Sequence, residues 1–287
     1  MKHIVVPIDF SQESLNGLRM AIVLANRFGS TIQMVYVQKS VAELGKVNFE
    51  DEKKEAKATF KQLVEEYSPK LANGAGITYI VKKGKVFREV VNQAGAYEDS
   101  VIVCSTHGAS GFEEFFMGSN AFKIISATDV PVFAIRFGSV VRNIENIVLP
   151  IDLTSDTRQK VPLTAQLAKA FNARVHVLGV ATSKNEEVET KVKAYSLQVC
   201  EYFREYGLDY LQVFKSGDDI CSIITDYSLE VNADLISIMT EQNEPFTRFI
   251  IGTHAQQILN QSTIPVLCVT PKELFLLGSF RTFGSGY

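Results

Sequence analysis

Short apolar runs alternate along this chain with longer segments in which apolar residues recur every three or four positions. The runs are rich in Val and Ile, a composition typical of strands buried on both faces of a parallel sheet. In the first half they lie at 3–8, 31–37, 77–82, 100–104 and 132–135, and in the second half at 146–151, 174–180, 210–214, 235–239 and 266–269. This alternation predicts an α/β fold of doubly wound parallel sheets with helices on both faces.

The two halves of the chain repeat one another. Residues 2–11 read KHIVVPIDFS and residues 145–154 read ENIVLPIDLT, which places Asp9 and Asp152 at matching positions. The closing runs match as well, since DVPVFAI in the first half is answered by TIPVLCV in the second. Solenoid repeats span only about 20–50 residues, whereas the matching residues Asp9 and Asp152 are 143 positions apart. The repeat is therefore that of a duplicated domain.

The repeat predicts the domain organisation. We expect one domain at 1–138, a second at 144–270 and a C-terminal tail at 271–287. The number of residues that separates a position in the first half from its match in the second half decreases towards the end of the halves. This decrease predicts an insertion in the first half at about 41–49. The connection at 137–143 is short, so the two domains are expected to pack together.

Local signals predict where the first helix of each half begins and ends. Ser11 and Thr154 follow the first apolar run of their halves, and hydroxyl side chains are favoured at helix N-caps. In the first half the helix is expected to end at Phe28 and Gly29, because glycine commonly terminates helices.

Composition excludes several functional classes. The net charge is −3, so the chain has no excess of basic residues, and nucleic acid is disfavoured as the main partner. The apolar runs are much shorter than the roughly 20 residues of a membrane-spanning helix. The four cysteines show no C-x-x-C spacing and the N-terminal sequence shows no signal-peptide pattern. We therefore expect a cytoplasmic protein with reduced, mostly buried thiols that binds no membrane.

A glycine-containing loop follows the fourth predicted strand of the first half. Residues 105–119 read STHGASGFEEFFMGS and precede a helix expected to start near Ser119. Glycine lets the backbone approach a ligand closely, and loop N–H groups and a helix N-terminus attract anions. Ligands of open α/β sheets bind beyond the carboxyl ends of the strands. The loop therefore predicts a phosphate site at that edge.

The VPIDFS opening, the S-T-H-G loop and the VPV close resemble the universal stress protein family, specifically its tandem members. The resemblance implies a five-stranded parallel sheet of order 3-2-1-4-5 in each half. It also implies dimerisation through the fifth strand, which in a tandem chain would bring 132–135 against 266–269. One polypeptide would then form a pseudo-dimer with a pseudo-two-fold axis, and association of two chains stays open.

The resemblance further implies ATP, with Mg²⁺, as the ligand of the first half. The family's motif G-x2-G-x9-G-[S/T] maps onto this loop, with Ser105 in place of the first glycine. The family also has an aspartate after strand one, which Asp9 matches. It has an apolar residue beside the adenine at the end of strand two, which Val37 matches. The residues expected to contact the nucleotide are Pro7, Asp9, Val37, Ser105, His107, Gly108, Gly118, Ser119 and Asn120.

The second half departs from this motif. Met239 and Gln242 stand where the two earlier glycines belong, and Glu241 adds a negative charge beside any phosphate. Gly252 and Thr253 are explained by a helix N-cap. We therefore expect a degenerate, structural second domain that does not bind ATP in the family's manner.

Several residues admit a second interpretation. Asp9 could bind the ligand or hydrogen-bond its own loop, and the persistence of Asp152 in the degenerate half favours the structural role. Cys104 is expected to be a small core residue beside the site. His3, His176 and His254 lack metal-type spacing and are expected at the surface or at strand ends.

No nucleophile–base pair or carboxylate dyad occurs in the motif, so we expect a switch that hydrolyses ATP slowly at most, and no catalytic or metal-ligating side chain. The first alternative is a nucleotide-free scaffold that binds a protein partner. The second is an enzyme of the wider adenine-nucleotide superfamily, whose H-x-G-H and S-G-G-x-D motifs are missing after strand one. The sequence also leaves open another ligand, such as cyclic AMP.

Overall fold

The computed structural model describes residues 1–38, 49–106, 117–136, 138, 143–154, 156–182, 185–240 and 251–271. The first half contains β1 (His3–Pro7), α1 (Gln12–Phe28), β2 (Thr31–Gln38), α2 (Phe49–Tyr67), β3 (Gly76–Lys83), α3 (Val86–Gly95), β4 (Ser100–Ser105), α4 (Ser119–Ala127) and β5 (Val132–Ile135). The second half contains β6 (Asn146–Ile151), α5 (Val161–Phe171), β7 (Arg174–Ala181), α6 (Glu186–Glu205), β8 (Tyr210–Ser216), α7 (Ile220–Glu230), β9 (Leu235–Met239), α8 (Thr253–Gln261) and β10 (Val266–Val269). The predicted α/β fold is confirmed.

The ten strands form one sheet with the order β3-β2-β1-β4-β5-β10-β9-β6-β7-β8. Strands within each half are parallel, and each half has the order 3-2-1-4-5. The halves join through β5 and β10, which pair antiparallel with Phe133 opposite Leu267. The expected pairing of the two fifth strands is therefore present, and it turns two five-stranded sheets into one.

Helices cover both faces of the sheet, and each face has one apolar core that runs through both halves. One core is centred on side chains of α1, α2, α5 and α6, among them the fully buried Leu18, Phe60 and Phe203. The other is built on α3, α4, α7 and α8. Because each core is continuous across the junction, burial of apolar surface stabilises the two halves as one body.

Polar contacts also cross the junction. The Arg136 guanidinium donates to the carbonyl of Asn260 at 3.2 Å, and the Asn260 side chain accepts from the N–H of Met117 at 3.0 Å. The Thr270 hydroxyl donates to the carbonyl of Thr128 at 2.9 Å. The expectation that the halves pack together is confirmed.

The predicted ends of α1 are confirmed. The Ser11 hydroxyl accepts a hydrogen bond from the Ser14 N–H at 3.2 Å, and Gly29 takes the left-handed conformation with φ of 65°. The matching prediction for Thr154 is wrong, since α5 begins at Val161 with Lys160 as its N-cap. The Thr154 hydroxyl bonds Asp152, and the helix starts later because Pro162 has no N–H and is tolerated only in a first helical turn.

The structure decides the expectations for the cysteines and for His176. All four cysteines are buried and free, as expected. The expectation for His176 is wrong, because its ring is buried within β7 and hydrogen-bonds the Tyr227 hydroxyl at 2.9 Å. Burial and the nearby Arg174 lower the pKa of His176. The predicted insertion and the tail lie almost wholly outside the described residues.

Candidate functional site

The carboxyl ends of β1, β2 and β4 lie side by side at one edge of the first half, because β1 pairs with β2 on one side and β4 on the other. Pro7 ends β1 and Ser105 ends β4. Val37 lies one residue before the end of β2 and is buried. The strand order reverses between β1 and β4, and ligands of such sheets bind at that switch point. The structure thus places three of the predicted residues at one edge.

Asp9 lies in a tight turn directly after β1. Its Oδ1 atom accepts hydrogen bonds from the Ser11 N–H, at 3.1 Å, and from the Ser11 hydroxyl. Phe10, between them, has φ of 64°, which is rare for an aromatic residue. Its ring packs on Tyr36 and Phe60, with centroids 5.0 Å away in each case. Packing of Phe10 against the core therefore holds the turn that carries Asp9.

The same turn is present after β6 in the second half. Asp152 Oδ1 accepts from the Thr154 N–H at 2.9 Å and from the Thr154 hydroxyl. The N–H groups of Asp9 and Asp152 donate to the hydroxyls of Ser14 and Thr157, each at 3.4 Å. The structural interpretation of both aspartates is confirmed, while ligand contact by Asp9 stays a prediction.

The N-terminus of α4 is held at the carboxyl end of β4. Gly118 is the N-cap, and its N–H donates to the carbonyl of Thr106 at 2.6 Å. Thr106 is itself tied to β5 through its N–H and the carbonyl of Ile135. Ser119 and Asn120, the first two helical residues, are exposed. Their backbone N–H groups and the positive end of the helix dipole suit an anion.

Two of the predicted site residues, His107 and Gly108, lie outside the described residues. The structure therefore brings Pro7, Asp9, Val37 and Ser105 to the edge where α4 begins, and contact between any of the nine residues and a nucleotide stays a prediction. Among the described side chains, no group of three or more His, Cys, Asp or Glu could hold a metal ion.

Cys104 lies in β4 and is fully buried beneath the predicted site. Burial raises the pKa of its thiol to about 12, because the protein interior disfavours a thiolate. Burial also raises the pKa of Cys268, in the paired strand β10. Both thiols are therefore protonated at neutral pH, in keeping with the core role expected for Cys104.

The second half has a cavity at the matching edge of its sheet. Its volume is about 330 Å³, and we call it the β6–β7 cavity because the ends of these strands form its floor. The lining residues are Asp152, Leu153, Thr154, Val180, Ala181, Thr182, Val188, Val192, Ile220 and His254. The cavity occupies the position that corresponds to the predicted nucleotide site of the first half, and Asp152 and Val180 stand where that half has Asp9 and Val37.

Lys160 is a buried lysine close to the cavity. Its ammonium group donates to the carbonyl of Thr157 at 2.7 Å and to the Thr157 hydroxyl at 3.1 Å. Burial lowers the pKa of Lys160 to about 8, although the negative charge of Asp152 acts in the opposite direction. The matching residue of the first half is Gly17, so this cation belongs to the second half alone.

His254 joins the cavity to a buried thiol. It lies in the first turn of α8, and its Nδ1 atom is 3.6 Å from Sγ of Cys221. The Cys221 thiol also donates to Oε1 of Gln257 at 3.1 Å. Cys221 is 1% exposed, so His254 presents the polar surface of this pair to the cavity.

Sequence reasoning missed the cavity and its lining residues Thr182, Val188 and His254. The repeat of the Pro-Ile-Asp motif at Asp152 was a signal that the second half retains a comparable edge. The loss of the glycine pattern pointed to a degenerate phosphate loop, and it carried no information about the side chains of α6 and α8.

Comparison with known proteins decides the family. A model of the universal stress protein family matches residues 1–136 and, separately, residues 143–270. The chain belongs to the universal stress protein family. The two matches make it a tandem member, as the repeat predicted.

Because none of the helices in the described ranges is both long and apolar enough, none could span a membrane.

Some known universal stress proteins match about half of this chain, and others match nearly all of it. A curated one from Methanocaldococcus jannaschii is 28% identical over 145 residues, which is 47% of this chain and 82% of its own length. A solved one from Archaeoglobus fulgidus has 17% identity and a TM-score of 0.75, and the match covers 93% of this chain and 98% of that one. Its likeness shows a shared fold. A solved universal stress protein in complex with cAMP covers 45% of this chain and 98% of its own, with 18% identity and a TM-score of 0.39.

Proposed function

We propose that this universal stress protein binds ATP, with Mg²⁺, in its first half and acts as a nucleotide-dependent switch. The observation that carries the proposal is the position of the α4 N-terminus. Its N-cap, Gly118, is hydrogen-bonded to Thr106 at the end of β4, beside the switch point of the sheet. A helix N-terminus fixed at that point is suited to a phosphate group.

The other predicted residues are assigned to two parts of the nucleotide, its phosphates and its adenosine. In this proposal the N–H groups and side chains of Ser119 and Asn120 hold the phosphates, while Val37 and Asp9 contact the adenosine. Val37 supplies a buried apolar surface at the end of β2. The phosphates carry the Mg²⁺ ion, which needs few protein ligands because it retains several waters.

A nucleotide-free scaffold is the alternative that a specific observation favours. The aspartate turn has the same hydrogen bonds in both halves, so Asp9 needs no ligand to explain its presence. ATP that copurifies with the protein after gentle purification would argue against the scaffold.

Aspartate substitution at the α4 N-cap tests the phosphate site. In Gly118→Asp a carboxylate would face the phosphates, so we expect ATP binding measured by isothermal titration calorimetry to be lost. Aspartate is itself a favoured N-cap residue, which keeps the helix intact. The matched control is Gly252→Asp at the N-cap of α8, which should leave ATP binding unchanged. Retained binding in Gly118→Asp, or equal loss in both variants, would contradict the proposed site.

We further propose that the bound ATP is hydrolysed slowly at most. We expect the motif to provide no nucleophile–base pair and no carboxylate dyad, whereas typical enzymes turn over about 1–1,000 times per second. We expect phosphate release from Mg²⁺-ATP, followed by a colorimetric phosphate assay, to stay below about one turnover per minute. A faster rate that Gly118→Asp abolishes would assign an enzymatic function to this site.

A further inference from the structure

The N-terminus of α4 is held from both halves of the chain. Met117 directly precedes the N-cap Gly118, and its N–H donates to Oδ1 of Asn260, in the last turn of α8, at 3.0 Å. The next N–H, that of Gly118, donates to the carbonyl of Thr106 in the first half at 2.6 Å. Two consecutive N–H groups at the start of α4 are therefore fixed by acceptors, one from each half.

Asn260 is itself tied to the edge of the first half. Its backbone carbonyl accepts a hydrogen bond from the Arg136 guanidinium at 3.2 Å, and the Gln261 carbonyl accepts from the same nitrogen at 3.5 Å. Arg136 directly follows β5, and its own carbonyl accepts from the Asn16 side chain of α1 at 3.3 Å. A cation is favoured at the C-terminal end of a helix, because it meets the negative end of the helix dipole. Arg136 thus fixes the last turn of α8, and Asn260 connects this turn to Met117.

The two halves differ in this contact. Gly118 and Gly252 are the matching N-caps of α4 and α8, so the position in α4 that corresponds to Asn260 is Ser126. The Ser126 hydroxyl donates within its own helix, to the carbonyl of Phe122. The half that carries the glycine-containing loop is therefore the half whose helix N-terminus is held by an amide of the other half.

From these contacts we infer that Asn260 is a positioning residue of the phosphate site, through which the second half sets the affinity of the first half for ATP. The inference rests on the proposed ATP site, and it gives the second half a role that needs no ligand there. The N–H groups of Ser119 and Asn120 can hold phosphate oxygens while α4 begins at a fixed place and in a fixed direction. Donors that are already in place bind more tightly, because the ligand need not order them. Asn260 acts on them through Met117, without touching the nucleotide.

Truncation of Asn260 tests this inference in the full-length chain. Asn260→Ala removes the acceptor of the Met117 N–H, so the Kd for Mg²⁺-ATP, measured by isothermal titration calorimetry, should rise about fivefold to tenfold. Adenosine has no phosphates, so its affinity should stay at the wild-type value. Gln256→Ala removes an exposed amide from the same helix and should change neither affinity.

The outcomes separate this inference from the proposed function. ATP affinity that is equal in wild type and Asn260→Ala would overturn the inference, and so would an equal loss of affinity for ATP and adenosine, which indicates general damage to the fold. Wild-type protein that binds no ATP would overturn the proposed function itself.

Hydrogen exchange of the nucleotide-free protein tests the same contact without a ligand. Exchange at the Met117 N–H, followed by mass spectrometry of the peptide that contains it, should be faster in Asn260→Ala than in wild type. Asn260→Asp keeps an Oδ1 acceptor and should restore the slow exchange. Wild-type exchange in Asn260→Ala, or fast exchange in Asn260→Asp with an unchanged temperature of thermal unfolding, would show that Asn260 does not hold the start of α4 and would refute the inference.

Discussion

Replacing Phe133 by alanine is expected to lower the free energy of unfolding by about 3–5 kcal/mol. Phe133 is fully buried in β5, where it is paired with Val103 of β4 and lies opposite Leu267 of β10. Its removal leaves a cavity at the junction of the two halves. Urea unfolding followed by circular dichroism measures the loss.

The control for this prediction is Leu229→Ala, which changes an exposed side chain of α7 and should shift stability by at most about 0.5 kcal/mol. Phe133→Ala and Leu267→Ala are expected to be non-additive by about 0.5–3 kcal/mol, because the two side chains meet across the junction. Additive effects, or a loss below about 1 kcal/mol for Phe133→Ala, would contradict a shared core between the halves.

Stability is expected to depend on pH through Lys160. Its pKa falls from about 10.5 in the unfolded chain to about 8 in the folded protein. Between these values the unfolded chain binds the extra proton, so this lysine makes the free energy of unfolding rise with pH. The expected rise across this window is about 3 kcal/mol. Below pH 8 the lysine is charged in both states, and its burial destabilises the fold.

Substitution by methionine isolates this effect from the other titrating groups. The difference in unfolding free energy between wild type and Lys160→Met should increase in favour of wild type from pH 8 to pH 10.5. Lys169→Met removes an exposed lysine from the same helix, and its difference from wild type should stay constant. A constant difference for Lys160→Met as well would show that Lys160 keeps its ordinary pKa on folding.

The sequence predicted those parts of the fold that depend on local patterns. The continuous Val- and Ile-rich runs specified the strands, and Ser11 and Gly29 specified the ends of α1 through hydrogen bonds within a few residues. The repeat of the fifth strand, together with the family resemblance, predicted the β5–β10 junction. These signals suffice because buried strands and helix caps are encoded close to the residues they affect.

The features that sequence reasoning missed depend on distant contacts. The burial of His176 depends on Tyr227 of α7, which is 51 residues away along the chain. The late start of α5 had a local signal instead, because Pro162 has no N–H and is tolerated only in a first helical turn. The β6–β7 cavity is lined by residues of β7, α6, α7 and α8, whose proximity only the assembled sheet establishes.

The proposed switch depends on the binding of one ATP per chain, in the first half. The most direct measurement is isothermal titration of Mg²⁺-ATP into wild-type protein shown beforehand to be free of nucleotide. We expect a single site per chain. No binding would leave the scaffold as the function of the first half, and two sites per chain would contradict the assignment of a degenerate phosphate loop to the second half.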